Sequence, residues 1–298
     1  MNDYRRFLEP NTIAKLANIE LKARLVVEGF ITGLHRSPYH GFSVEFAEHR
    51  QYRTGDEFRH IDWKVFGKTD KYYVKQFEEE TNLRSMIAVD ASASMKFASN
   101  GNISKFEYAS YLAAALSYLL IKQRDAVGLS LYDTEIKTFI PASSRKSQIQ
   151  NILKILDAAS PANQTGTSSA LDLLAERIRR RGLVVIISDF FDDMQSVISA
   201  LQHFRHKKHE VLVFQILDPR EIDFKFGRDA VFKDIELGDE MTTQPYQIQK
   251  AYALTINEFI NTIKKTCRKA NIDYNLITTS NPFDKAMREF IAKRNQMG

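Results

Sequence analysis

Asp90, Ser92 and Ser94 alternate along a short stretch, Asp90-Ala91-Ser92-Ala93-Ser94, directly after the apolar run SMIAV. A second carboxylate, Asp189, follows the apolar run LVVII within Ser188-Asp189-Phe190-Phe191-Asp192, and Thr165-Gly166-Thr167 precedes a segment of helical pattern. Two carboxylates and three hydroxyls provide only oxygen, a ligand set that suits hard cations such as Mg²⁺ or Mn²⁺ over zinc. In a tight loop the alternation 90, 92, 94 turns the three side chains towards one point. So few charged ligands leave the ion partly unneutralised and keep water on it. An incoming carboxylate can displace that water and complete the shell.

Such a site needs buried strands that end together. Ser85–Val89, Leu183–Ser188 and 211–217 (VLVFQIL) are apolar on both faces, as strands covered on two sides are. Between them the pattern predicts helices at 106–121, 146–157, 168–180, 194–205, 248–270 and 284–294, a strand pair at 126–131 and 136–140, and a strand at 272–278. Strands alternating with helices imply a doubly wound, mostly parallel α/β sheet, and in open sheets of this kind ligands bind at the strands' carboxyl ends. Residues 219–245 break the alternation and are expected to form a hairpin-like insertion. At the other end, 11–29 carries Ile13, Leu16, Ile19 and Leu25 at near-helical spacing and stops at Gly29, and 72–77 (YYVKQF) predicts a short strand. Alternation begins only after residues 80–84. The chain therefore divides into an N-terminal helix and accessory segment, 1–83, and an α/β domain, 84–298.

The ligand pattern resembles the metal-ion-dependent adhesion site of von Willebrand factor A domains, D-x-S-x-S followed by a distant Thr and a distant Asp. The resemblance assigns Asp90, Ser92, Ser94 and Asp189 as metal ligands. It selects Thr167 over Thr165, because Gly166-Thr167-Ser168-Ser169-Ala170-Leu171 fits the context of that family's threonine. Many such domains have Gly after the second Asp; here it is Phe190, which leaves Asp192 as an alternative outer ligand. The sequence also carries Tyr52, Gly55, Asp56, Arg59, Ile61, Asp62 and Trp63 in the spacing Y-x-x-G-D-x-x-R-x-I-D-W, then VKQFEEE, then D-x-S-x-S-M. This composite is similar to that of the bacterial domain-of-unknown-function 58 family over about residues 35–280. The resemblance implies a von Willebrand factor A-like fold and a non-enzymatic protein–protein interaction module. It further implies an adaptor or co-chaperone working with a MoxR-type AAA+ ATPase and other von Willebrand A-type proteins.

In the N-terminal composite, Asp56 and Asp62 offer two carboxylates to Arg59, with the single tryptophan, Trp63, beside them. The cluster reads as a structural staple or as a docking surface for the ATPase, since Trp and Arg dominate binding hot spots. Arg59, Asp62 and Trp63 are the candidate partner contacts.

Composition sets the remaining bounds. The chain has 298 residues, 44% hydrophobic and 27% charged, which excludes disorder as the dominant state. One cysteine, Cys267, excludes an internal disulfide and any multi-cysteine metal site, and suits a reducing compartment. The most apolar stretch, Tyr111–Ile121, is well short of the ~20 residues of a spanning helix, and the N-terminus lacks the apolar core of a secretory signal. A cytoplasmic protein without membrane insertion is expected.

A net charge of +5 permits acidic partners. His203, His206 and His209, and Arg177 with Arg179–Arg181, are expected as solvated basic helix ends, and no nucleic-acid motif accompanies them. Neither a P-loop nor a G-x-S-x-G elbow occurs. The enzyme alternative is a Mg²⁺-dependent phosphatase or phosphotransferase with Asp90 as nucleophile. Its weakness is Ser92, where that chemistry wants a carboxylate to shuttle the proton. A basic nucleic-acid binder is the other alternative.

Overall fold

The computed structural model describes residues 9–35, 50–51, 66–67, 70, 72–74, 83–99, 101–162, 166–226, 230–233 and 240–297. In chain order the elements are α1 (Pro10–Ala14), α2 (Ile19–His35), β1 (Arg50–Gln51), β2 (Tyr73–Val74), β3 (Arg84–Asp90), α3 (Lys105–Lys122), β4 (Ala126–Tyr132), β5 (Ile136–Ser143), α4 (Ser147–Ala158) and α5 (Thr167–Arg177). They continue with β6 (Leu183–Ser188), α6 (Met194–His206), β7 (Glu210–Leu217), α7 (Pro219–Asp223), β8 (Ala230–Lys233), β9 (Glu240–Thr243), α8 (Pro245–Lys269), β10 (Asp273–Thr278) and α9 (Phe283–Asn295).

Six strands form one sheet in the order β10-β7-β6-β3-β4-β5. Every pairing is parallel except β4 with the edge strand β5. The chain moves outward from β3 through β4 and β5, then returns to β6 on the other side of β3. The reversal therefore falls between β3 and β6, whose carboxyl ends carry Asp90 and Ser188. This is the doubly wound, mostly parallel α/β architecture that the sequence implies.

Each strand face is buried by its own helices. Met86, Ala88, Val184, Ile186, Val211 and Val213 pack with residues of α5, α6 and α8. The alternate residues of β3 lie under α3, which in turn meets α4 and α9. Helix α3 is buried on nearly all sides, hence its almost continuous apolar sequence. A capping box fixes its start: the Ser104 side chain accepts from the Glu107 N–H, and Glu107 accepts from the Ser104 N–H. Cys267 is part of the core, and burial pushes its thiol up to about 12.

Two compact units result, one of residues 1–33 with 83–298 and one of 34–82. Helices α1 and α2 thus group with the sheet. In the smaller unit, β1 and β2 pair antiparallel, Arg50 opposite Val74 and Gln51 opposite Tyr73, and the rings of Phe66 and Tyr72 stack at 4.5 Å. Arg59, Asp62, Trp63 and Asp56 lie outside the described residues, as do Glu78–Glu80 and Thr165.

The N-terminus departs from the single helix expected over 11–29. The chain breaks after α1, and Asn18 starts α2 by accepting the Leu21 N–H at 2.7 Å. Gly29 does not end that helix, because Ala23, Val26, Val27 and Phe30 are buried and packing overrides the glycine's poor propensity. The insertion contains the antiparallel pair β8–β9, preceded by the unanticipated short helix α7. The basic helix ends differ too. Helix α5 stops at Arg177 rather than 180, and His209 is not solvated but 2% exposed.

Candidate functional site

Asp90 ends β3 as a fully buried carboxylate. Its Oδ1 accepts the Ser92 N–H at 2.9 Å, which closes the loop back on the strand. Its Oδ2 accepts the Thr167 hydroxyl at 3.2 Å and the Ser188 hydroxyl at 2.6 Å. Ser92 and Ser94 place their Oγ atoms 3.1 Å apart; Ser92 is buried and Ser94 half-buried, so the group opens towards solvent on the Ser94 side. Thr167 arrives as the first residue of α5. Gly166 lets that helix start come close, since a Cβ there would lie 2.8 Å from the Thr134 Cα.

Four of the five predicted ligands, Asp90, Ser92, Ser94 and Thr167, are thus joined by hydrogen bonds. Asp189, also fully buried, faces elsewhere. Its Oδ1 accepts the Phe191 N–H at 3.1 Å and its Oδ2 the Lys105 ammonium at 2.7 Å. Lys105 is wholly buried at the first turn of α3 and also donates to Glu221 of α7 at 2.5 Å. Its ammonium lies 4.8 Å from the Phe191 ring centre and 6.0 Å from that of Phe97. Burial works against the ammonium, but Asp189 and Glu221 outweigh it and raise the Lys105 pKa. Burial likewise drives Glu221 up to about 7, against Lys105 and reinforced by Asp189.

The two acids of the motif therefore differ. Asp189 has a protein cation; among the described residues Asp90 is bonded only by hydroxyls and an amide. Burial, then the nearby Asp189 charge, raise Asp90 to about 6, despite hydrogen bonds from Ser188 and Ser92 that favour its charged form. A buried carboxylate without a cation is costly unless something neutralises it. The donor set fits a hard cation at Asp90, Ser92, Ser94 and Thr167, with Asp189 acting chiefly through its charge. Among the described residues no group of three or more His, Cys, Asp or Glu is placed to hold a metal. His203 instead pairs with Asp172 and Glu176, 3.0 Å from each.

Phe190 explains the missing glycine. Its φ is +61°, in the left-handed region where glycine is favoured, yet its ring is fully buried in the core. Backbone strain is accepted here in return for apolar packing. Asp192 accepts the Ser168 N–H and hydroxyl at 3.1 and 3.2 Å, so it caps α5 beside Thr167.

Sequence reasoning missed Ser188, Lys105 and Glu221. Ser188 stood beside Asp189 and was passed over in its favour. Lys105 fell one residue before the expected helix, and Glu221 lay in the segment assigned to the insertion.

Comparison with known proteins places the chain among uncharacterised relatives. It is 30% identical over 235 residues to the uncharacterized protein Mb1516 of Mycobacterium bovis, covering 77% of this chain and 73% of that one. The same figures hold for uncharacterized protein Rv1480 of Mycobacterium tuberculosis. Among solved structures, BatB from Bacteroides thetaiotaomicron aligns with a TM-score of 0.48 at 17% identity, over 72% of this chain and 99% of that one. An aerotolerance-related membrane protein from Bacteroides fragilis aligns with a TM-score of 0.49 at 19% identity, over 72% and 99%. Residues 48–258 match the family described as protein of unknown function DUF58, and the chain belongs to that family.

Proposed function

We propose that this chain is a non-enzymatic, metal-dependent protein–protein interaction module. In this reading Asp90, Ser92, Ser94 and Thr167 hold Mg²⁺ or Mn²⁺ with Asp189 nearby. The bound ion supplies a Lewis-acidic position for a carboxylate of the partner. The partner is a MoxR-type AAA+ ATPase, as the family resemblance implies, and the chain acts as its adaptor or co-chaperone.

One observation carries the reading: Asp90 is completely buried, gathers hydroxyls, and has no protein cation among the described residues, whereas Asp189 beside it has Lys105. The protein supplies its own positive charge for one carboxylate and leaves the other to be matched from outside. Hydroxyls hold a cation without neutralising it, and Ser94 on the solvent side gives the partner access. The groups bonded to Asp90 also offer no general acid or base near neutral pH, which favours binding over phosphoryl chemistry.

The test is an affinity pull-down from native lysate, read by mass spectrometry, with wild type and Asp90→Ala, each with Mg²⁺ and with chelator. An AAA+ ATPase recovered only by wild type with Mg²⁺ is the expected result. The same partner in all four samples refutes the metal bridge. Turnover of an aryl phosphate that Asp90→Asn abolishes refutes the non-enzymatic reading.

A further inference from the structure

At the opposite pole of the sheet, where the parallel strands begin, lies a cavity of about 290 Å³. It opens between the starts of β3 and β6, the edge strand β5 and the loop after α5. Met86, Phe139, Pro141 and Val184 supply an apolar floor, and four arginines, Arg84, Arg177, Arg179 and Arg180, stand around it. None of the described residues lining it is acidic. Arg177 is held over the Phe139 ring with its guanidinium carbon 4.3 Å from the centroid, which fixes a positive charge above the floor. Arg179 and Arg180 are exposed and make no ion pair among the described residues.

Planar guanidinium forks match phosphate oxygens, and the apolar floor matches a flat ring. The volume sits at the lower end of small-ligand pockets, which suits one ring and one phosphate rather than a dinucleotide.

We propose that this cavity binds a small phosphomonoester carrying an apolar ring, of the size of a nucleoside monophosphate, independently of the strand-end metal site. The phosphate is held by Arg177, Arg179 and Arg180, and the ring lies on the apolar floor of Met86, Pro141 and Val184, beside the Phe139 that Arg177 covers.

The experiment is calorimetric titration of the full chain with AMP, adenosine and inorganic phosphate, in the presence of chelator. AMP is expected to bind at least 10-fold more tightly than either fragment. Arg180→Ala and Arg179→Ala, both on exposed positions, are expected to weaken AMP at least 10-fold with thermal stability retained. Equal affinity for AMP and phosphate, or arginine variants that bind AMP as wild type does, overturns the proposal. So does tight, steeply salt-dependent binding of a single-stranded oligonucleotide without AMP binding, which would make the arginines a nucleic-acid contact.

Discussion

Replacing Asp90 by asparagine removes one charge and nearly conserves volume, so it separates a ligand from a structural acid. Burial and the Asp189 charge lift the Asp90 pKa from 3.8 to about 6 in the metal-free protein. A rise of about two units corresponds to about 3 kcal/mol of destabilisation when the carboxylate is charged, at about 1.4 kcal/mol per unit. The asparagine removes that penalty: its oxygen can still accept the Ser92 N–H, and its amide group, in the place of Oδ2, donates to the hydroxyls of Ser188 and Thr167, which turn to accept. Metal-free Asp90→Asn is therefore expected to melt higher than wild type at pH 7.5, by about 4–6 °C for a chain of this size. Magnesium at about 100 times its dissociation constant adds about 2.7 kcal/mol to wild type and nothing to the variant, so the order closes or reverses. The sign of the pH dependence follows. Above about 6 the folded carboxylate is charged and the penalty is complete. As pH falls through 6 the folded state takes a proton that the unfolded chain, at 3.8, does not, so wild type gains stability down to about pH 4. Glu221, raised to about 7, gives wild type and variant the same trend, and the difference between them isolates Asp90. Calorimetric scans from pH 4 to 8, with chelator and with Mg²⁺, measure both effects. A variant that melts lower than wild type in chelator, and gains from Mg²⁺ as wild type does, refutes the reasoning and makes Asp90 a structural hydrogen-bond centre.

Lys105→Met removes the ammonium shared by Asp189 and Glu221 and leaves two buried carboxylates without it. Denaturant unfolding is expected to show a loss of about 3–5 kcal/mol, the usual cost of breaking one side of a buried pair. Phe190→Gly relieves the positive φ by about 1 kcal/mol but empties a fully buried ring site worth about 3–5 kcal/mol. The net expectation is a destabilisation of about 2–4 kcal/mol by the same measurement. Glu210 joins the start of β7 to Arg205 and Lys293, 2.7 and 2.6 Å away; burial opposes its charge, but these partners outweigh it and lower its pKa. A carboxylate depressed in the folded state stabilises above its ordinary value of 4.5, and that contribution fades as pH falls through the folded value. Glu210→Gln is thus expected to melt lower than wild type at pH 7, and the difference is expected to shrink as the pH falls below the carboxylate's ordinary value and through its lowered folded one.

The sheet could be read from the sequence because its strands are buried on both faces. LVVII and VLVFQIL leave no polar alternation to mislead, and long helices, α6 and α8, cover them. That Asp90, Ser92 and Ser94 gather at a strand end could be read for the same reason, since a polar run directly after a buried strand has nowhere to lie but the strand's end, whereas Thr167, at the start of a helix, was legible only through the family resemblance. Where local signals compete with packing, reading fails. Gly29 suggested a stop, yet the buried face of α2 carries the helix past it. Lys105 illustrates the limit most sharply. A lysine at the start of an apolar helix looks like a solvent-facing residue, because lysines are almost never fully buried unless paired. Its partners are 84 and 116 residues away in the chain, just past the end of β6 and in α7. No periodicity within α3 encodes them; only the sheet order, which brings β6 against β3 beneath that helix, brings them together. That lysine divides the labour of the two aspartates. Asp189 is neutralised from within by a residue that cannot leave, and Asp90 has no such partner among the described residues, which is why the proposed cation is placed there.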